Sequence, residues 1–141
     1  MVLPFTVHIS LISTVGWGPY LARVEAKRTT LFQQLCGFKN EYDFFILPVS
    51  QVLPFDVTTH FPTEIAGTKM ENYLAWMKSA YYISVAGNPA LSVPCGFSAR
   101  GLPIGLQIVA RHHDDWGVLQ LGYAFEQATN IGQRRPRVLA L

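Results

Sequence analysis

Two short apolar segments joined by a turn with glycine and proline constrain the fold of this chain more than any other feature. Residues 90–93 are apolar, and Ile104 to Ala110 form a second apolar segment after Arg100-Gly101-Leu102-Pro103. Glycine and proline stand in that turn where a hairpin needs them, so the two segments are predicted to be antiparallel neighbours in a sheet. Pro94-Cys95-Gly96 is predicted to interrupt the first strand.

Helical patterns surround this hairpin. An apolar stripe at helical spacing predicts a helix over Tyr20 to Phe38. Thr68-Lys69-Met70-Glu71 fits a capping box and predicts a second helix through Val85, with Gly87 as its stop signal. The paired acids Asp114-Asp115 predict the start of a third helix, because acidic side chains suit the positive end of the helix dipole.

One more strand and one long loop complete the predicted order of elements. The wholly apolar run Phe44 to Leu47, ended by Pro48, predicts a strand buried on both faces. Residues 48–67 carry several prolines, and irregular segments of this length are often functional. The order helix, strand, helix, two strands, helix favours an α/β sandwich with helices on both faces of the sheet.

The composition indicates that more protein covers part of this surface. Half of the 141 residues are hydrophobic and 14% are charged, against roughly 25% charged residues in a typical soluble domain. A membrane protein is the alternative, but no apolar run reaches the length of about 18 residues that a span needs. The best candidate, Met1 to Tyr20, is broken by polar residues and lacks the basic start of a signal peptide. No contact with a membrane is therefore predicted.

The charge pattern bears on nucleic-acid binding, and the cysteine pattern bears on the compartment of the protein. Arg134, Arg135 and Arg137 form the only basic cluster, and no aromatic residues interleave with it as a nucleic-acid platform would require. A solvated tail is the preferred interpretation. Cys36 and Cys95 lie far apart with no Cys-x-x-Cys pair, which is typical of a reducing cytoplasm.

Few residues qualify as candidates for chemistry, and each has a structural explanation beside the functional one. His112-His113-Asp114-Asp115 contains metal-ligand residue types, but adjacent side chains point apart, so a polar turn before a helix is preferred. Cys95 is either a nucleophile or a small buried side chain. His60 lies in the long loop and is predicted to face solvent. The sequence predicts no metal and no cofactor, since no phosphate-binding glycine-rich loop is present.

An aromatic stripe before Gly87 is the best candidate for a binding surface. Tyr73, Met77 and Tyr81 recur at helical spacing, and Trp76 flanks them. Core packing explains such a stripe, yet beside a long loop it could also line an apolar pocket. Tyr73, Trp76 and Met77 are therefore the candidate substrate-binding residues.

Several segments together resemble the amidase-signature family of hydrolases. The resemblance covers about residues 20 to 130 and rests on the order and spacing of four motifs. These are Tyr42-Asp43-Phe44-Phe45-Ile46-Leu47-Pro48, Ser84 to Gly96 with its Gly-Asn-Pro-Ala-Leu-Ser-Val-Pro core, Gly101-Leu102-Pro103-Ile104-Gly105-Leu106-Gln107-Ile108-Val109, and Phe125-Glu126. Members carry a three-layer α/β/α fold with a mixed sheet, of which this chain would form about the C-terminal third. Residues 20–132 would be that part, with 1–19 unassigned and 133–141 a basic tail.

The resemblance implies hydrolysis of a linear carboxamide by a Ser–Ser–Lys triad, with backbone amides holding the oxyanion. The Gly- and Ser-rich signature that carries the two serines is absent from this chain. No lysine matches the catalytic one, since Lys27, Lys39, Lys69 and Lys78 stand in other contexts. No catalytic residue is therefore predicted, and the chain is expected to contribute strands and one wall of the substrate cleft.

The resemblance also bears on the substrate. Members that take ammonia from glutamine carry an acidic residue in the helix before the Gly-x-Pro motif, at a position that falls near Met77. Met77 and Trp76 are not acidic, which favours a small neutral or aryl amide.

Three hypotheses about the whole chain remain open. It could be an amidase fragment that is inactive alone and self-associates to cover exposed strands. It could be a non-catalytic interaction module that pairs with a separate N-terminal half. It could also be a small hydrolase with Cys95 as the nucleophile.

Overall fold

A computed structural model describes residues 17–136, so the predictions for residues 1–16 and for the end of the tail lie outside the described residues. The helices are α1 (Trp17–Lys39), α2 (Lys78–Ala86) and α3 (Asp115–Thr129), with 3₁₀ turns at Ala75–Met77 and Ile131–Gln133. The strands are β1 (Phe45–Pro48), β2 (Glu64–Ile65), β3 (Thr68–Lys69), β4 (Ala90–Phe97) and β5 (Pro103–Val109). No helix within residues 17–136 is long and apolar enough to cross a membrane.

The predicted hairpin forms the centre of a three-stranded sheet in the order β1-β5-β4. β4 runs antiparallel to β5, with Leu91 opposite Ile108. The turn closes as Ser98 and Leu102 bond through their main chains at 2.8 Å, and Gly101 supplies the positive φ of 79° that this turn needs. Both strand pairs in this sheet are antiparallel, so β1, β4 and β5 do not themselves form the parallel pairs of a mixed sheet.

The predicted interruption of β4 is a β-bulge within one continuous strand. The register shifts between Pro94 and Gly96, which leaves Cys95 as the extra residue. The interruption is therefore local, because a bulge absorbs one unpaired residue without ending the ladder.

Helix α3 covers one face of the sheet over β4 and β5. Gly122 lies so close to the sheet that a β-carbon there would overlap Leu91 Cδ2. Asp114 begins the helix as predicted, since its side chain accepts a hydrogen bond from Gly117 N at 2.9 Å, and Asn130 ends it at a φ of 52°. Ile108 of β5, opposite Leu91, is fully buried on this face, and the next residue, Val109, is fully buried on the other face.

The expectation that helices cover both faces, and that β1 is buried on both, holds only in part. On the α3 side, Ile46 of β1 is 61% exposed, since α3 packs mainly on β4 and β5. On the other face, Ala90, Ser92 and Pro94 of β4 are all exposed. This part of the α/β fold therefore leaves apolar sheet surface uncovered within residues 17–136.

The predicted capping box at Thr68 does not begin a helix. Thr68 and Lys69 pair with Ile65 and Glu64 in a small hairpin. Its two turn residues, Ala66 and Gly67, both have positive φ, the geometry of the tightest hairpin turns. Helical structure starts only after Asn72, whose Oδ1 accepts hydrogen bonds from the N–H groups of Leu74 and Ala75 at 3.1 Å.

Lys39, at the end of α1, ties that helix to the sheet. Its side chain is only 4% exposed, and Nζ donates to Val109 O at 2.7 Å and to Asp43 O at 3.2 Å. Nζ also lies 4.4 Å from the centre of the Phe45 ring, close enough for a cation–π contact. Burial, and then the positive charge of Arg111, lower the pKa of Lys39 from 10.5 to about 8.

Close packing at Gly122 predicts that Gly122→Val destabilises the chain by about 1–3 kcal/mol, because extra methyl groups would force Leu91 out of its packed position. Chemical denaturation followed by circular dichroism measures the effect. The matched control is Gln120→Val on the exposed side of the same helix, which is expected to change stability by less than about 0.5 kcal/mol. Equal losses in the two variants would show that α3 does not pack as described.

The lowered pKa of Lys39 predicts a stability that depends on pH. Between about pH 8 and 10.5 the unfolded chain keeps this proton while the folded chain releases it, so the free energy of unfolding gains a contribution that rises with pH. Wild type should therefore gain stability relative to Lys39→Met across this window, as measured by denaturation at a series of pH values. A constant or falling difference would contradict the burial of the ammonium group.

Candidate functional site

An apolar groove of about 760 Å³ lies on the face of the sheet opposite α3. Its walls are the loop at 48–55, the indole of Trp76, residues 92–94 of β4 and residues 103–105 at the start of β5. None of the lining residues, all within 17–136, carries an ionisable side chain. The groove therefore suits an uncharged ligand, because a buried charge without a partner is costly.

The loop wall is fastened to the sheet and to the 3₁₀ turn. Val49 N donates to Gly105 O at 3.3 Å, continuing the pairing of β1 with β5 beyond Pro48. The Val49 side chain occupies the space above Gly105, where a β-carbon would lie 2.9 Å from Val49 Cγ2. On the opposite side, Gln51 Nε2 donates to the main-chain oxygen of Trp76. These contacts fix the distance between the two walls of the groove.

Five aromatic rings extend from the groove towards the surface. Phe55 and Trp76 meet edge to face with ring centres 5.7 Å apart, and Tyr73 meets Trp76 in the same way at 5.9 Å. Tyr73 in turn contacts His60 at 5.8 Å and Phe61 at 6.3 Å. Such edge-to-face pairs stabilise each other beyond the area they bury, so the cluster holds the long loop against the turn at 75–77.

The three predicted substrate-binding residues lie in different surroundings. Trp76 lines the groove, and Tyr73 lies behind it, in contact with its ring. Met77 is half-buried and is not among the groove-lining residues of the described chain. Trp76 Nε1 is buried and has no hydrogen-bond acceptor among residues 17–136. The role of these residues in binding stays a prediction.

Sequence reasoning missed Gln51 and Phe55. Both lie in the proline-containing loop that was expected to be functional, but their position opposite Trp76 depends on tertiary contacts. His60 was predicted to face solvent, and it is exposed while its ring contacts Phe61 and Tyr73. In the sequence, only the length and the prolines of the loop indicated a functional role for the segment that forms this wall of the groove.

The histidine and aspartate cluster forms the predicted polar turn between β5 and α3. Asp114 caps α3, and His112 Nδ1 lies 2.9 Å from Gly87 O, which makes that nitrogen the donor. No group of three or more His, Cys, Asp or Glu side chains within the described part of the chain is arranged to hold a metal ion.

Cys95 lies at the bulge of β4 and is half-buried. No hydrogen bond among the described residues joins its thiol to a histidine. His112 instead bonds Gly87 O and packs its ring against Phe32 at 5.2 Å. The arrangement of a nucleophile beside a general base is therefore not formed by these residues.

A second, polar pocket of about 310 Å³ lies between the end of α1 and the turn before α3. Its charged groups already have partners: Lys39 bonds two main-chain oxygens, and Arg111 pairs with Asp43. Asn88 donates to Ala110 O at 2.9 Å. These contacts therefore tie the end of α1 to the end of β5 and the turn that follows it, and they leave no free charged group in the pocket for chemistry.

Comparison with known proteins gives a consistent group of relatives. The family model described as Amidase matches residues 8–119. An acylamidase of Rhodococcus erythropolis is 32% identical over 120 residues, which are 84% of this chain and 25% of that protein. One component of the glutamyl-tRNA(Gln) amidotransferase of Moorella thermoacetica is 41% identical over 127 residues, which are 90% of this chain and 25% of that protein.

Solved structures show the same likeness in three dimensions. The crystal structure of a bacterial aryl acylamidase of the amidase-signature family matches with a TM-score of 0.72 and 26% identity. The match covers 86% of this chain and 25% of that one. The chain thus spans about a quarter of the length of these relatives.

The aromatic contacts predict distinct effects of two substitutions at Trp76. Trp76→Ala should lower the free energy of unfolding by about 2–4 kcal/mol, because Phe55 and Tyr73 lose the ring between them. Trp76→Phe should stay within about 1 kcal/mol of wild type, since it removes a buried N–H that has no acceptor among residues 17–136. The control is Trp116→Ala, at a residue that is 70% exposed on α3. Denaturation curves for the variants give the comparison, and a small effect of Trp76→Ala would contradict the packed cluster.

Proposed function

Since this chain belongs to the amidase family, we propose that it acts as the C-terminal part of a carbon–nitrogen hydrolase for linear carboxamides. In this role it contributes strands β1, β4 and β5 and one wall of the substrate cleft. The observation that carries the proposal is the apolar groove, which lies between strands β4 and β5 and the candidate residue Trp76.

The chemistry of the groove supports a neutral amide with an apolar or aryl group as the substrate. No ionisable side chain of residues 17–136 lines the groove, so neither the carboxylate nor the ammonium group of glutamine would find an opposite charge there. Phe55 and Trp76 meet edge to face, and an aryl group can add to such a pair. The name acylamidase of one relative agrees with this substrate class.

We assign no catalytic residue to this chain. By the family resemblance, a serine would attack the amide carbonyl, a second serine would relay its proton to a neutral lysine, and backbone amides would hold the oxyanion. Burial lowers the pKa of Lys39 to about 8, but its amine donates to Asp43 O and Val109 O. The serines and the lysine would have to come from residues outside this chain.

A second candidate function is a non-catalytic interaction module that pairs with a separate N-terminal half or self-associates. It is favoured by the exposed side chains of Ala90, Ser92 and Pro94 on the face that carries the groove. The neighbouring reading frame offers a simple observation. An upstream frame that encodes a Gly- and Ser-rich signature would favour pairing with a separate half. For either function we propose the cytoplasm, because both Cys36 and Cys95 are free thiols.

The proposed role predicts binding without turnover. The purified chain should bind a simple aryl amide such as acetanilide and change the fluorescence of Trp76, yet release no amine when aliphatic and aryl amides are assayed. Trp76→Phe should remove the fluorescence response, whereas Trp116→Phe, on the outer face of α3, should retain it. Glutamine should produce no response, because the described groove lacks charged side chains.

Two results would count against this proposal in different ways. A response that survives Trp76→Phe would show that the amide binds elsewhere and would favour the interaction module. Turnover by a preparation free of other amidases would show that the chain carries its own nucleophile. Replacing Cys95 by Ala would then test the third hypothesis, and activity that survives this change would exclude Cys95.

A further inference from the structure

Strand β4 presents an unpaired edge whose hydrogen-bonding groups can be derived from its register. Ala110 N donates to Pro89 O at 3.1 Å, and Ala90 lies opposite Val109. Because bonded and non-bonded pairs alternate along an antiparallel ladder, the N–H and C=O groups of Ala90 and Ser92 point away from β5. The strand order within residues 17–136 places β4 at the edge of the sheet, so no described strand forms hydrogen bonds with these groups.

The first half of this edge lacks the features that usually prevent strands from pairing with other chains. Such features are charged side chains, prolines and bulges. β4 has no charged residue, and Pro94 and the bulge at Cys95 come only after its midpoint. The 3₁₀ turn after α3 packs on β4, and Arg134 lies over the Phe97 ring at 5.6 Å. The open stretch is therefore Ala90 to Val93.

We propose that two copies of this chain pair through this stretch, with β4 antiparallel to its counterpart about a two-fold axis at Leu91. Ala90 of each copy then lies opposite Ser92 of the other. Both residues exchange N–H and C=O, so every outward group of Ala90 and Ser92 gains a partner. The edge is thus complementary to itself, which is what a two-fold interface requires.

The position of Pro94 selects this register over its neighbour. An axis at Ser92 would place Ala90 opposite the partner's Pro94, which has no N–H to offer to Ala90 O. An axis at Leu91 uses only residues that have both a donor and an acceptor. The proline therefore limits the pairing to a short segment and fixes its register.

Helix α3 is compatible with this pairing. It packs on both β4 and β5, so its axis lies between them rather than beyond the edge. With strands about 4.8 Å apart, the two α3 axes would lie about 10 Å from each other, within the usual spacing of packed helices. On the opposite face, Ser92 and Pro94 line the groove, so the second copy would border it.

This inference deepens the self-association proposed above and does not depend on amide hydrolysis. A second copy and a separate N-terminal half that used the same edge would exclude each other. Failure to bind or cleave an amide would leave the pairing intact, and absence of pairing would leave the amide-binding experiment unaffected.

Cysteine cross-linking tests the register directly in the full chain with Cys36→Ser and Cys95→Ala as background. Ala90→Cys and Ser92→Cys are made in separate chains of different tag length, mixed and oxidised mildly. Opposite residues in a bonded pair lie about 5.5 Å apart between Cα atoms, which is the usual disulfide separation. The mixture should therefore form the 90–92 disulfide. Ser92→Cys alone should not, because its two copies would lie about 8 Å apart.

A second pair of variants tests the hydrogen bonds themselves. Ser92→Pro removes the N–H of residue 92 that points away from β5 but none of the hydrogen bonds between β4 and β5. Ser92→Ala keeps that N–H and the same hydrogen bonds. Light scattering is expected to give a dimer for Ser92→Ala and a monomer for Ser92→Pro, with circular dichroism to verify folding. The proposal would be overturned by a disulfide between two Ser92→Cys chains or by the absence of a disulfide in the mixture. It would also be overturned if Ser92→Ala and Ser92→Pro both fold and have equal masses in solution. If Ser92→Pro does not fold, the cross-linking result decides.

Discussion

The antiparallel ladder between β4 and β5 is the interaction on which the other elements of this chain depend. β1 pairs with the side of β5 that faces away from β4, and α3 covers β4 and β5. The groove forms where the ladder meets the loop at 48–55. Because one hairpin brings these strands together through a short turn, the local cost in chain entropy is small. The longer connections then gain a surface on which to pack.

Lys39 shows how a charged group can serve this arrangement. Phe45 of β1 lies opposite Val109, the last residue of β5, and the Lys39 ammonium donates to Val109 O at this end of the pairing. The same group bonds Asp43 O and faces the Phe45 ring. Burial of the charge disfavours the protonated form, which is why the pKa of Lys39 falls to about 8. The two hydrogen bonds from Lys39 to main-chain oxygens nevertheless hold the end of α1 against the sheet.

Local signals predicted most of the elements, and tertiary contacts account for the failures. Gly87 and the turn around Gly101 carry their conformational requirements in their own sequence, and both behave as expected. The capping-box pattern at Thr68 failed because Ala66-Gly67 closes a hairpin there instead. At the groove, Trp76 stood out as an aromatic residue beside a long loop. Gln51 did not, since its bond to Trp76 O joins residues that are distant in sequence.

The bulge at Cys95 makes the number of residues in β4 as important as their identity. Side chains alternate between the faces of a strand, so one extra residue exchanges the faces of everything that follows it. Leu91 and Val93 face α3, yet Phe97 lies opposite Pro103, on the face that carries the groove. Deleting one residue here would turn Phe97 towards α3 and remove the ring over which Arg134 lies. A gain or loss of one residue is therefore a more severe change at this point than most single replacements, whereas the exposed stretch at 56–60 has no strand register to lose.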